Sequence, residues 1–149
     1  MKFDIEILNQ YREDDKLISQ THPYYPLIIW NYTQKVQYEE LWDDITINCR
    51  GLVTDFDGNV ISKGFPKFWN LEEGKHIPTK DFEIFEKLDG QYIGAFFYNG
   101  ELIVNSRGSF TSQYAIAAHD ILNKNYPRFQ ECMIPYATYC FELIGYERI

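Results

Sequence analysis

Lys87 is the side chain best placed to do chemistry in this chain. It stands in Glu86-Lys87-Leu88-Asp89-Gly90, between the alternating run Phe82 to Phe85 and the nearly continuous apolar run Tyr92 to Tyr98. Strand side chains alternate faces, so Lys87 and Asp89 are expected on one face and Glu86 and Leu88 on the other. One reading is a hairpin whose Asp89-Gly90 makes the turn and whose lysine is solvated. Four further blocks bear on this: Arg50-Gly51 opening a strand, Lys67-Phe68-Trp69-Asn70 in a loop, Ser106-Arg107-Gly108 closing a strand, and Phe141-Glu142-Leu143-Ile144-Gly145 in the last strand. Glu142 shares a face with Cys140 and Ile144, an apolar setting in which an ionised carboxylate needs a partner, and Arg107 is the candidate. Trp69, taken alone, reads more readily as core than as a stacking platform. Lysine, arginine and glutamate on strand faces among apolar neighbours imply a polar-lined cleft between sheets.

The elements that must hold these residues follow from periodicity and turn chemistry. Residues 3–12 have helical spacing at Phe3, Ile5, Leu8 and Tyr11. The segment Thr21 to Pro26 ends any helix, because proline removes a donor and disfavours helix before it. Leu27 to Tyr32 reads as a strand, and Gln37 to Asp44 as a short helix or loop. Arg50–Phe56 and Val60–Phe65 form a hairpin around Asp57-Gly58-Asn59. Phe82–Leu88, Tyr92–Tyr98 and Glu101–Ser106 form a meander, with Asn99-Gly100 as its second turn. Ser109–Lys124 is the clearest helix, capped by Thr111 or Ser112, with Tyr114, Ala117, Ala118, Ile121 and Leu122 as its apolar stripe. Phe129 to Met133 is a further helical turn, and Tyr139–Ile144 the last strand. The fold class is α+β, mostly antiparallel sheets with a few helices, in one domain over 1–149.

Composition narrows the function classes. The chain is 45% hydrophobic and 17% aromatic, enough for one domain with a sizeable, strand-rich core. Its net charge of −8 argues against a broad nucleic-acid footprint. The acidity is concentrated in residues 1–60, with five Lys/Arg against eleven Asp/Glu, while residues 61–149 carry nine against eleven. That balance leaves room for a small basic cleft and favours an enzyme pocket. No run of eighteen apolar residues and no apolar leader core is present, so neither a membrane partner nor secretion is expected. Cys49, Cys132 and Cys140 lack metal-ligand spacing and read as buried or half-buried thiols of a reducing compartment, the cytoplasm.

Lys87-Leu88-Asp89-Gly90 resembles the nucleotidyl-accepting motif of the covalent nucleotidyltransferases, which comprise polynucleotide ligases and RNA-capping enzymes. The other blocks are Cys49-Arg50-Gly51-Leu52-Val53, Phe65 to Glu73, Ser106-Arg107-Gly108-Ser109 and Phe141-Glu142-Leu143. In this order the set resembles the RNA ligase 1 family, phage-type ATP-dependent ligases that reseal broken single-stranded RNA such as tRNA anticodon loops. The resemblance runs from about Leu27 to the C-terminus.

The resemblance implies the N-terminal part of an adenylylation domain that uses ATP and Mg²⁺ and acts on RNA ends, single-stranded or in a nicked stem-loop, tRNA included. Lys87 would be the nucleophile that takes AMP from ATP. A lysine amine with an ordinary pKa of about 10.4 is almost wholly protonated in water, so cations must surround it. Arg50, Lys67 and Arg107 are the implied cations, and Asp89 works against them. Arg107 and Glu142 would hold the ribose hydroxyls, with Arg50 and Lys67 nearer the phosphates. Trp69 would pack beside the nucleotide or buttress its loop, Gly90 would allow close backbone approach, and the backbone of Glu86 would read adenine. No residue is assigned as a metal ligand. In the family a further acidic motif and a two-lysine motif lie downstream of the Glu142 block, whereas this sequence ends at Ile149. A truncated or degenerate ligase with slowed adenylylation is therefore expected. The alternatives are a non-catalytic nucleotide- or RNA-binding module, and a DNA ligase or capping-type guanylyltransferase. The Lys67-Phe68-Trp69-Asn70 block argues against the latter.

Overall fold

The computed structural model describes residues 1–75 and 77–145. The chain end on which the expectation of missing motifs rests, 146–149, lies outside the described residues. Two antiparallel sheets face each other, each with helices on its outer side. The first has the order β1 (Leu17–Thr21), β2 (Leu27–Tyr32), β3 (Arg50–Asp55), β4 (Val60–Ser62). The second has the order β6 (Glu101–Ser106), β5 (Gln91–Tyr98), β7 (Tyr139–Leu143). Helices α1 (Ile5–Glu13), α2 (Gln34–Tyr38) and α3 (Asp44–Asn48) accompany the first sheet, and α4 (Gln113–Asn125) and α5 (Phe129–Cys132) the second.

Side-chain alternation assigns the layers. In β2, Trp30 and Tyr32 pack outward with Leu8 of α1, Val36 of α2 and Leu52 of β3. Leu27 and Ile29 point inward, with Val53, onto Phe96 of β5, Ile103 of β6 and Phe110. On the far side of the second sheet, Ile93, Ala95, Leu102 and Val104 meet Ala118 and Leu122 of α4. Burying a large apolar side chain such as Phe96 contributes about 1.5–3 kcal/mol. Because β2 is covered on both faces, its sequence is almost continuously apolar. The inward face of β2 ends at Asn31, where the sheets stop touching and a cleft begins.

The expected strand Phe82–Leu88 is not formed. Residues 77–89 run outside regular structure and are exposed, with Phe82, Ile84 and Phe85 all more than half accessible. The position beside β5 that this strand would occupy is taken by β7, which pairs antiparallel from Gln91↔Leu143 to Ala95↔Tyr139. Asp89-Gly90 is therefore an entry into β5 and not a hairpin turn. Strand β1, short and largely polar, was not expected. Helix α4 is capped by Ser112, whose hydroxyl accepts from Ala115 N, and its buried line is Ala115, Ala118 and Leu122.

Helix α3 shows how strongly a short helix can be fixed by its cap. Asp43 Oδ1 accepts from Ile45 N and Thr46 N at 3.0 and 2.8 Å, Thr46 Oγ1 accepts from Asp43 N at 2.9 Å, and Tyr11 OH donates to Asp43 Oδ2 at 2.9 Å. Burial raises the Asp43 carboxyl, but hydrogen bonds from Thr46, Tyr11 and Ile45 outweigh it and hold the group below its ordinary value. Its stabilising contribution is thus present above the unfolded carboxyl value of about 3.9 and is lost as pH falls through the lower folded value. Asp43→Ala is expected to cost about 1–2 kcal/mol at neutral pH. Denaturant melts at pH 7 and pH 3 should show that difference shrinking as the medium is acidified.

Candidate active site

The cleft between the splayed ends of the sheets has a volume of about 840 Å³. It gathers residues from every predicted block: Arg50 from β3, Phe68 from the loop after β4, Glu86 to Gly90 from the segment before β5, Arg107 after β6, and Glu142 from β7. Tyr92, on the inward face of β5, also lines it, as do Asn31, Phe65, Phe68 and Cys140.

Each candidate side chain has a local reason for its aim. By simple alternation Arg50 would share the outward face of Leu52. The β2–β3 register shifts between Trp30 and Asn31, and Gly51 takes φ +72°, a left-handed conformation that glycine adopts without penalty. Such bulges re-aim side chains. Here the Arg50 guanidinium lies over the rings of Phe68 and Tyr92, 5.2 and 5.7 Å from their centroids. Arg107 follows Ile103 and Asn105 on the inward side, is exposed, and lies 5.4 Å from the centroid of Tyr32. Glu142 pairs in register with Tyr92 and faces the cleft.

The partner of Glu142 is not Arg107. Glu142 Oε1 accepts from Gly90 N at 3.1 Å, tying the last strand to the residue that ends the Lys87 segment. Gly90 itself is needed for space, since a Cβ there would lie 2.3 Å from the Leu143 carbonyl oxygen. Lys87, Glu86 and Asp89 are exposed on the cleft wall.

Lys67 and Trp69 are placed elsewhere. Lys67 Nζ lies 5.5 Å from the ring centroids of both Trp42 and Trp69, which meet edge-to-face at 5.8 Å, and neither Lys67 nor Trp69 lines the cleft. Their neighbours Phe65 and Phe68 do. The lining therefore carries Arg50, Lys87 and Arg107 against Glu86, Asp89 and Glu142, a balanced set with no cation excess. Among the described residues no three His, Cys, Asp or Glu side chains converge as a metal site. Mg²⁺ is commonly held by one or two carboxylates together with substrate phosphates, and Glu86 and Asp89 suit a metal that arrives with a nucleotide.

The remaining polar features are structural or ready to accept a ligand. Asn31, 5% exposed, donates from Nδ2 to the Tyr32 carbonyl at 3.1 Å, leaving Oδ1 without a partner at the cleft. A second cavity, about 1010 Å³ and mostly apolar, lies among α4, α5 and β7; of the predicted residues only Glu142 borders it. Cys49 is fully buried, whereas Cys132 and Cys140 are exposed, correcting the expectation of three sheltered thiols. Burial pushes the Cys49 thiol up to about 12, so it stays protonated and inert. Maleimide labelling of the native protein is expected to stop at two cysteines by intact mass, with the third reacting only after unfolding.

A family model described as RNA ligase matches residues 48–148, more than half of the chain. This chain belongs to the RNA ligase family. The matched span starts at Asn48, later than the resemblance from Leu27. A protein of Autographa californica nuclear polyhedrosis virus that carries the name bifunctional polynucleotide kinase/RNA ligase is 31% identical over 102 residues. That match covers 54% of this chain and 15% of the viral protein. Among the described residues, no helix of this RNA ligase family member is long and apolar enough to cross a membrane.

The sequence signals for Tyr92, Phe65 and Phe68 were weaker than those for the charged residues. Aromatics are abundant here, and nothing in their spacing separates a cleft wall from core. The glycines at 51 and 64 were a usable clue, because each leaves room that the Tyr92 side chain fills.

Proposed function

We propose that this chain carries the nucleotide-accepting part of an ATP-dependent RNA ligase, with Lys87 as the residue that becomes covalently modified. What supports the reading is the convergence of Arg50, Lys87, Arg107 and Glu142, from four separate stretches, on one cleft in a member of the RNA ligase family. In the proposed step the Lys87 Nζ lone pair attacks the α-phosphorus of ATP. The N–P bond forms, the bond to the β-phosphate oxygen breaks, pyrophosphate leaves, and Nζ gives up a proton. Arg50 and Arg107 supply donors for phosphate or ribose oxygens, and Glu142 accepts from the Gly90 amide and fixes the segment bearing Lys87. Mg²⁺ held by Glu86 or Asp89 and the phosphates would supply charge neutralisation when bound. The AMP is then passed to an RNA 5′-phosphate, and a 3′-hydroxyl displaces it to join the ends.

The test is joining of a 5′-phosphorylated RNA to a 3′-hydroxyl end in the presence of ATP, with GTP and a DNA substrate as parallel arms. Joining of RNA with ATP supports the reading. Labelling by GTP or preference for nicked DNA would replace it with the capping or DNA ligase alternative. The balanced charge of the cleft lining favours a second reading, a nucleotide-binding module without chemistry. Calorimetric ATP binding in a protein that never gains the mass of AMP would select it.

A further inference from the structure

We propose that Tyr92 and Phe68 form an aromatic clamp that positions the Arg50 guanidinium toward an anionic group in the cleft, so that Tyr92 is a positioning residue of the site. The inference rests on the nucleotide-binding reading above and adds residues that the charged motifs do not include.

Three observations carry it. First, the chain is built to hold the Tyr92 ring. A Cβ at Gly64 would lie 2.2 Å from the Tyr92 hydroxyl oxygen and one at Gly51 3.2 Å from Cε1, while one at Gly94 would meet Asn105 Oδ1 at 2.9 Å and the Tyr92 hydroxyl at 3.1 Å. Gly64 and Gly94 have no left-handed backbone, so space explains them better than conformation does. Second, Arg50 lies within cation–π range of two rings, Phe68 at 5.2 Å and Tyr92 at 5.7 Å. One ring comes from the fixed sheet and the other from the exposed loop before it. Third, among the described residues Arg50 takes part in none of the ion pairs, and no side-chain hydrogen bond uses its donors. A guanidinium oriented by ring faces keeps its in-plane donors for a ligand, and planar donor pairs suit phosphate oxygens. The Tyr92 hydroxyl is occupied by Cys140 Sγ at 3.8 Å, and burial first, then Cys140, keep it protonated. The ring is therefore the working part and the hydroxyl is not.

The experiment is calorimetry on the full chain with ATP, inorganic tripolyphosphate and adenosine as separate probes. Tyr92→Leu and Phe68→Ala are each expected to weaken ATP and tripolyphosphate roughly three- to tenfold while leaving adenosine unchanged. Tyr92→Phe should retain wild-type affinity. In an Arg50→Ala background, Phe68→Ala should cause no further loss. Phe68 is 48% exposed, so that variant keeps the test decisive if Tyr92→Leu fails to fold. Equal weakening of adenosine and tripolyphosphate, or no change in either variant, would overturn the clamp while leaving the ligase reading standing. A wild-type chain that binds neither ATP nor tripolyphosphate would overturn both.

Discussion

Lys87→Ala is expected to abolish the gain of one AMP on incubation with ATP and Mg²⁺, while ATP binding by calorimetry falls by less than tenfold. The reasoning separates the nucleophile from the pocket. Lys87 lies on the exposed wall of the cleft, and its side chain takes part in none of the ion pairs among the described residues. Removing it withdraws the atom that forms the N–P bond in the proposed step but leaves Arg50, Arg107 and Glu142 in place. Loss of a covalent nucleophile removes the step itself, whereas loss of one exposed charge costs about 1 kcal/mol or less in binding. Lys87→Arg should behave like the alanine variant in the adduct assay, because a guanidinium remains protonated. An adduct that persists in Lys87→Ala at the wild-type rate would contradict the assignment.

The second large effect is expected at Gly90. An alanine there must displace the Leu143 backbone, which its Cβ would approach at 2.3 Å, and backbone cannot swing aside as a flexible side chain can. The substitution would separate the start of β5 from β7 and break the Gly90–Glu142 hydrogen bond. Overpacking of this kind costs about 1–3 kcal/mol. For a chain of this length each kcal/mol lowers Tm by about 2–4 °C. Thermal unfolding should therefore show a clear drop, accompanied by weaker adduct formation than the stability change alone would give, since the same residue carries Lys87 into the cleft. An unchanged Tm would show that β7 does not press against Gly90.

Much of the arrangement was legible because alternation is a local property. The inward facing of Asn105 with Ile103, and of Glu142 with Cys140, follows from period two and agrees with the pairing of β5, β6 and β7. Other parts depend on which strand wins an edge. Phe82–Leu88 has a strand's pattern, but the pattern does not reveal that the edge of β5 is already occupied by a segment some fifty residues later. The pairing of Glu142 with the Gly90 amide in place of Arg107 is hidden for the same reason. Arg50 reaches the cleft only through a bulge, a feature that Gly51 permits but does not announce. Lys67 and Trp69 sit in an irregular loop, where no periodicity tells which side chains turn inward. The loop sends Phe65 and Phe68 to the cleft and the Lys67–Trp69 pair to Trp42.

The balanced lining bears on catalysis as well as binding. With Glu86 and Asp89 beside Lys87, the proposed approach of a triphosphate would depend on Arg50, Arg107 and a metal carried with the nucleotide. This makes the covalent step, more than binding, the point at which the account stands or falls. The most direct measurement is tandem mass spectrometry of proteolytic peptides after incubation with ATP and Mg²⁺. AMP is predicted on the Nζ of Lys87 and on no other residue. AMP attached to a different side chain, or an ATP-binding protein whose Lys87 peptide is never modified, would contradict it.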